Sequence, residues 1–172
     1  MRWKLRLSTL WGLKTSRTWF AGMASERGRL TAEEVQRLHG SKPVDVETLK
    51  APFMLIFINQ TYSPTLTEQE IYDCTRQFWY QVSQANRTPD VQGAIRYPVV
   101  LAVVDSVVVR AYAVAAWFAA GTTYSSRPSD PATHADRWEF VGNVLAHKLV
   151  GKKLVRDGKD LPANQKGYGY LN

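Results

Sequence analysis

The chain has 172 residues, 45% of them hydrophobic, which suits one domain with a proper core and excludes a row of large domains. A single cysteine, Cys74, excludes an internal disulfide and a cysteine-based zinc cluster. His39, His134 and His147 stand in no metal-ligand spacing, so neither a metal nor another cofactor is expected.

The net charge is +7, and most of it is terminal. Residues 1–22 carry Arg2, Lys4, Arg6, Lys14 and Arg17 with no acid, and without them the balance falls to +2. A second basic stretch, from Lys148 through Lys152, Lys153, Arg156 and Lys159 to Lys166, lies at the other end. Charge gathered in this way can draw in phosphate, or simply keep a tail solvated.

Residues 1–22 also hold Trp3, Trp11 and Trp19, in apolar runs too short for a membrane span or a signal core. They read as a surface or targeting segment, as a nucleic-acid-binding arm, or as an upstream extension of a frame that starts at Met23. The sharp change of composition at Met23 favours the extension, disordered before that residue, and a cytoplasmic protein without a membrane partner. Residues 23–50 read as a short helix and linker. Thr31 with Glu34 makes a capping box, Val35 and Leu38 follow at helical spacing, and Gly40 ends the helix.

The main domain is expected over residues 51–156. Phe53-Met54-Leu55-Ile56-Phe57-Ile58 is apolar without alternation, the pattern of a strand buried on both faces. It stops at the amide pair Asn59-Gln60, followed by Tyr62. Thr67 with Glu70 is a second capping box, and the helix it opens carries Ile71, Thr75, Phe78, Trp79 and Val82 on one stripe, with Tyr72, Arg76 and Tyr80 beside it. Strand end, polar loop and helix start therefore converge on one place.

Val99–Val104 and Val107–Val114 are β-branched runs around Asp105-Ser106, which predicts a hairpin, with Arg110 on the face of Val108 and Tyr112. Residues 115–121 read as a turn or short helix carrying Trp117, and residues 121–135 as a long loop of the kind that lines sites. Residues 137–145 alternate as a half-buried strand, with Arg137, Glu139 and Asn143 on its polar face. Residues 147–154 suggest one or two helical turns, and 157–172 an irregular tail. Strand, helix, hairpin, loop, strand gives an α+β fold: a small, strongly curved antiparallel-rich sheet or pseudo-barrel packed on a main helix.

Catalytic motifs are absent: no GxSxG, no GxxxxGK, no GxGxxG after a strand, no HxE with paired cysteines. No catalytic residue is assigned, and the balance is against an enzyme. Asn59 and Gln60 can offer a donor and an acceptor to a base edge, with Tyr62 as a stacking ring. Trp79, Trp117 and Trp138 could wall a pocket, Trp79 reading equally as core. Arg76 and Arg110 could meet phosphate, or pair with Asp73 or Glu139 as structural ions.

In order and texture, Pro52–Leu145 resembles the PUA-like superfamily, which includes the EVE, ASCH and YTH-type domains. The likeness lies in the buried run ending at Asn59-Gln60-Thr61-Tyr62-Ser63, the helix with Tyr72, Arg76 and Trp79, the Val99–Tyr112 hairpin, Trp117 and the strand from Arg137 to Gly142. It implies a small curved β-barrel that binds RNA or DNA, as a recognition module of a restriction or defence system whose partner protein supplies catalysis. Trp79, Trp117 and Tyr62 would then be pocket walls and Asn59 a reader of a flipped or modified base. With Gln60, Arg76, Arg110, Lys152 and Lys153 these form the expected nucleic-acid-binding set. A small metal-dependent nuclease using Asp105, Asp130, Asp136 and Glu139, or a ligand-free protein-interaction domain, are the competing readings.

Overall fold

In the computed structural model, which describes residues 32–127 and 129–172, helix α1 (Ala32–Val35) runs into a π-helical turn (Gln36–Gly40). Strand β1 (Pro43–Asp45) and a 3-10 turn (Val46–Thr48) follow. The apolar run forms β2 (Phe53–Phe57), as its unbroken hydrophobicity predicts, and α2 (Glu68–Arg76) starts at the predicted capping box. The Thr67 hydroxyl accepts from Glu70 N at 3.3 Å while the Glu70 carboxylate accepts from Thr67 N at 2.8 Å. The other expected box, at Thr31, and the expected disorder of residues 1–22 lie outside the described residues.

The remaining elements are β3 (Trp79–Tyr80), α3 (Gln84–Arg87), β4 (Val99–Val104), β5 (Val107–Ala119), a 3-10 turn (Pro131–Thr133), β6 (Arg137–Val144), β7 (Lys153–Arg156), β8 (Lys159–Asp160) and β9 (Tyr168–Leu171). The nine strands of the described residues join one sheet in the order β1-β7-β5-β4-β2-β9, with β6 on the far half of β5, β3 on β6 and β8 on β7. The fold is thus sheet-dominated α+β. Most pairings are antiparallel, but β2 runs parallel to β4 and β1 parallel to β7. No pairing joins β9 to β1, β3 or β8, so the described strands form an open sheet and not a closed barrel.

Two irregularities bend β5. Ala102 pairs with Arg110 but Val103 with Val108, leaving Val109 extra, and a second shift falls between Val114 and Ala116. Such bulges increase local twist, which lets one strand serve β4 with its first half and β6 with its second. The hairpin between β4 and β5 closes without glycine because Asp105 and Ser106 both take positive φ, 49° and 65°. Their side chains are held: Arg37 donates to the Asp105 carboxylate at 3.1 Å and Ser106 Oγ donates to Leu161 O at 2.8 Å.

Successive residues of a strand face opposite sides, and here both sides are filled. Met54, Ile56, Val100, Ala102 and Val104 pack with Ile71 and Cys74 of α2, Tyr112 and Phe140. Phe53, Leu55, Leu101 and Val103 pack with Val46, Leu149, Leu154 and Leu161 on the other side.

Several expectations are corrected. The helix stops at Arg76, because Gln77 turns extended (φ −127°, ψ 153°), so Phe78, Trp79 and Val82 are not on its stripe. Trp117 belongs to β5, whose strand continues through residues 115–119. Glu139 is fully buried, not on an exposed face. Residues 147–154 give a turn leading into β7. The linker joins the sheet through β1, and residues 157–172 are no tail: β9 lies along β2 with Leu171 opposite Phe53 and Tyr168 opposite Ile56.

Candidate functional site

A cavity of about 580 Å³ opens at the end of β2, where three chain segments meet Arg127 and Thr133 of the long loop and Arg137 of β6. The first is the loop after β2, where Thr61 N and Tyr62 N both donate to Ile58 O and the turn presents the exposed Asn59 and Gln60. The second is the end of α2 and the start of β3. There Trp79 Nε1 donates to Thr75 O at 2.7 Å, so the indole N–H is occupied and the ring offers its apolar body to the cavity. The third is the turn before β9, anchored by Phe57 N donating to Gly167 O at 2.8 Å and Asn164 Nδ2 donating to Tyr168 O at 2.6 Å. Gly167 has φ 73°, and a Cβ there would come within 3.0 Å of the Trp79 ring, so glycine is required twice over.

The chemistry of the lining is one-sided. Its charged side chains are Arg127, Arg137 and Lys166, with no Asp or Glu, and its amides are Asn59, Gln60, Gln77, Asn164 and Gln165. Phe57, Phe78 and Trp79 are its aromatic residues, and Cys74 also lines it, with Sγ 3.6 Å from Thr61 O. Arg137 is fixed by donating from Nη1 to Phe78 O at 2.9 Å.

Beneath the wall lies a buried ionic network. Arg76, 2% exposed, donates from Nε to Asp73 at 2.7 Å, from Nη1 to Thr123 Oγ1 at 2.6 Å and from Nη2 to Tyr124 O, and lies 3.6 Å from Glu139. Glu139 accepts from the backbone N–H groups of Thr122 and Thr123 and from Gln77 Nε2 at 3.0 Å. Burial alone would push the Asp73 carboxyl up, but hydrogen bonds from Ser126 Oγ and N, Arg76 and Gln69 outweigh it and hold the carboxyl below its usual range. The network staples the long loop to α2 and β6. It also fixes Gln77, whose Oε1 accepts from Ser125 Oγ at 2.7 Å.

Of the residues expected from the sequence, Asn59, Gln60 and Trp79 come together in this cavity. Tyr62 does not: it lines a separate pocket of about 260 Å³ with Arg37 and Arg110. Arg110 is engaged by Glu68, its Nε donating to Oε2 at 2.9 Å, which holds the Glu68 carboxyl low and the guanidinium high. Trp117 packs edge-on against Phe140, ring centroids 5.4 Å apart, and lines none of these pockets. Trp138 carries the Arg87 guanidinium 3.3 Å from its ring centroid. Arg76 is structural, as its alternative reading has it. Lys153 pairs with Asp160 at 2.8 Å, and neither it nor Lys152 reaches the cavity.

The acids proposed for a nuclease do not gather. Asp105 sits in the hairpin turn with Arg37, Asp130 accepts from Ala132 N at the 3-10 turn, and Glu139 is locked in the network. Among the described residues no group of three or more His, Cys, Asp or Glu could hold a metal ion. No helix among them is long and apolar enough to cross a membrane.

Sequence reasoning missed Arg127, Arg137, Lys166, Gln77, Asn164 and Gln165 as site residues. The run Asn164-Gln165-Lys166-Gly167 does carry a turn signal, a polar cluster ending in glycine before Tyr168 and Tyr170. Comparison of the chain with protein-family models, with curated proteins and with solved structures returns no match.

Proposed function

We propose that the protein is a nucleic-acid-binding module that takes a base of DNA or RNA into the cavity at the end of β2. The observation that carries this reading is the lining itself: three cations, five amides and three aromatic residues, with no carboxylate. Amides at the mouth can pair with a base edge, the aromatic wall supplies a stacking surface, and Arg127, Arg137 and Lys166 favour the phosphate that follows. The volume lies within the roughly 300–1,000 Å³ usual for sites that enclose small ligands. The PUA-like likeness of the sequence agrees with this reading, and with it goes a role as the reading partner of a catalytic protein in restriction or defence.

The test is the salt dependence of oligonucleotide binding. With three cations on phosphate, log K should fall with log salt at a slope of about −2 for a single strand, and Arg137→Gln should shallow that slope by about 0.7. Affinity that stays level between low and moderate salt would remove the proposal.

A further inference from the structure

Resting on that reading, we infer that the ligand is a strand of at least two nucleotides, with a second subsite for the neighbouring base at Tyr80. A hollow of about 410 Å³ adjoins the cavity and shares with it Phe78, Trp79, Arg137, Gln165 and Lys166, adding Tyr80 and Gln81. Arg137 and Lys166 therefore border both hollows. Two flat groups with an anionic group between them is the chemistry of a dinucleotide step, and this order of ring, cation and ring is its complement.

Tyr80 suits the task. Its side chain is 49% exposed, large for a ring in this chain, yet its backbone is tied down. Tyr168 Oη donates to Tyr80 O at 3.0 Å and to Gln81 O at 3.2 Å, Gln81 N donates to Asp136 O at 3.0 Å, and Tyr80 pairs with Arg137 across β3 and β6. The Arg137 guanidinium stands 5.7 Å from the Tyr80 ring centroid, so a base laid on that ring would meet the same cation that its phosphate meets. A tyrosine on a fixed backbone has two side-chain torsions to order, so stacking on it costs little entropy. The hollow holds no carboxylate, as the cavity holds none.

The experiment compares a nucleoside monophosphate, a dinucleotide and a dinucleotide whose second residue is abasic, by isothermal titration at low salt. The dinucleotide should bind on the order of tenfold more tightly than the other two, the effect of one stacked base. Tyr80→Ala should erase that gain, so that this variant binds the dinucleotide no more tightly than it binds the monophosphate, and Tyr80→Phe should retain it. The side chain of Tyr80 makes no hydrogen bond that holds the fold, so both variants should fold, checked by circular dichroism. A monophosphate that binds as tightly as the dinucleotide, or a gain that survives Tyr80→Ala, overturns the second subsite and leaves the cavity reading intact. Absence of binding by all three overturns both.

Discussion

Arg76 was legible as a charged residue beside Asp73 at a spacing of three, and its partners and a partial burial were nameable, but the depth of that burial was not. Helical periodicity places Arg76 next to Tyr72 and Tyr80, and nothing local shows that a loop 47 residues away folds over it to accept at Thr123. The depth has a consequence for stability. Removing one partner of a buried ion pair strands the other, so Arg76→Leu should cost about 3–5 kcal/mol, read as a lower urea midpoint at unchanged slope. An unchanged midpoint would mean that the two carboxylates never depended on it. Asp73 gives the same network a pH dependence. Its carboxyl is held below the unfolded value, so its contribution is complete above the ordinary carboxylate range and is lost as the pH falls through the depressed folded value. Acid unfolding should therefore steepen below about pH 4. In Asp73→Asn the acid limb should be shallower even though the variant is weaker at neutral pH.

At the scale of elements, the capping box of α2 was readable because its two reciprocal hydrogen bonds are local, and Thr67→Ala should cost about 1 kcal/mol in thermal or denaturant unfolding. The helix end was not readable. Apolar residues continue at helical spacing to Val82 because the segment after Arg76 is also part of the wall, and the pattern reports burial without distinguishing a helix from an extended turn. Strand β9 was missed for a related reason. Tyr168–Leu171 is four residues with a glycine, and what makes it a strand is its partner β2, more than 100 positions earlier. A chain ending at residue 162 should leave the edge of β2 unpaired beside Phe53 and Ile56. The expected result is aggregation on size-exclusion chromatography, the usual fate of an exposed apolar edge. A monodisperse truncated chain would show that β9 is dispensable to the sheet and to the cavity wall it carries.

The molecule as a whole is organised by β2 and β4, whose parallel pairing the local pattern did not reveal, since adjacent antiparallel strands were the simpler reading of strand, helix and hairpin. The two strands send alternate side chains into two separate apolar layers: Ile56 and Val100 into one, Leu55 and Leu101 into the other. Neither layer can melt without pulling the strands that hold the other, so the domain should unfold in one step despite its two cores. Ile56 and Leu101 are both fully buried, and truncating either to alanine should cost about 2–5 kcal/mol. Each variant should displace the whole transition, with tryptophan fluorescence and far-ultraviolet circular dichroism remaining superimposable. Because the cavity is assembled from residues 57 and 59–61, Cys74, 77–79, Arg127, Thr133, Arg137 and 163–167, it exists only while that shared sheet does. Either substitution, neither of them at a residue that lines the cavity, should therefore lower the temperature at which oligonucleotide binding disappears by the same amount as it lowers the melting temperature. If one layer melted ahead of the other, the probes would separate, and the idea of a single cooperative frame under the site would fail.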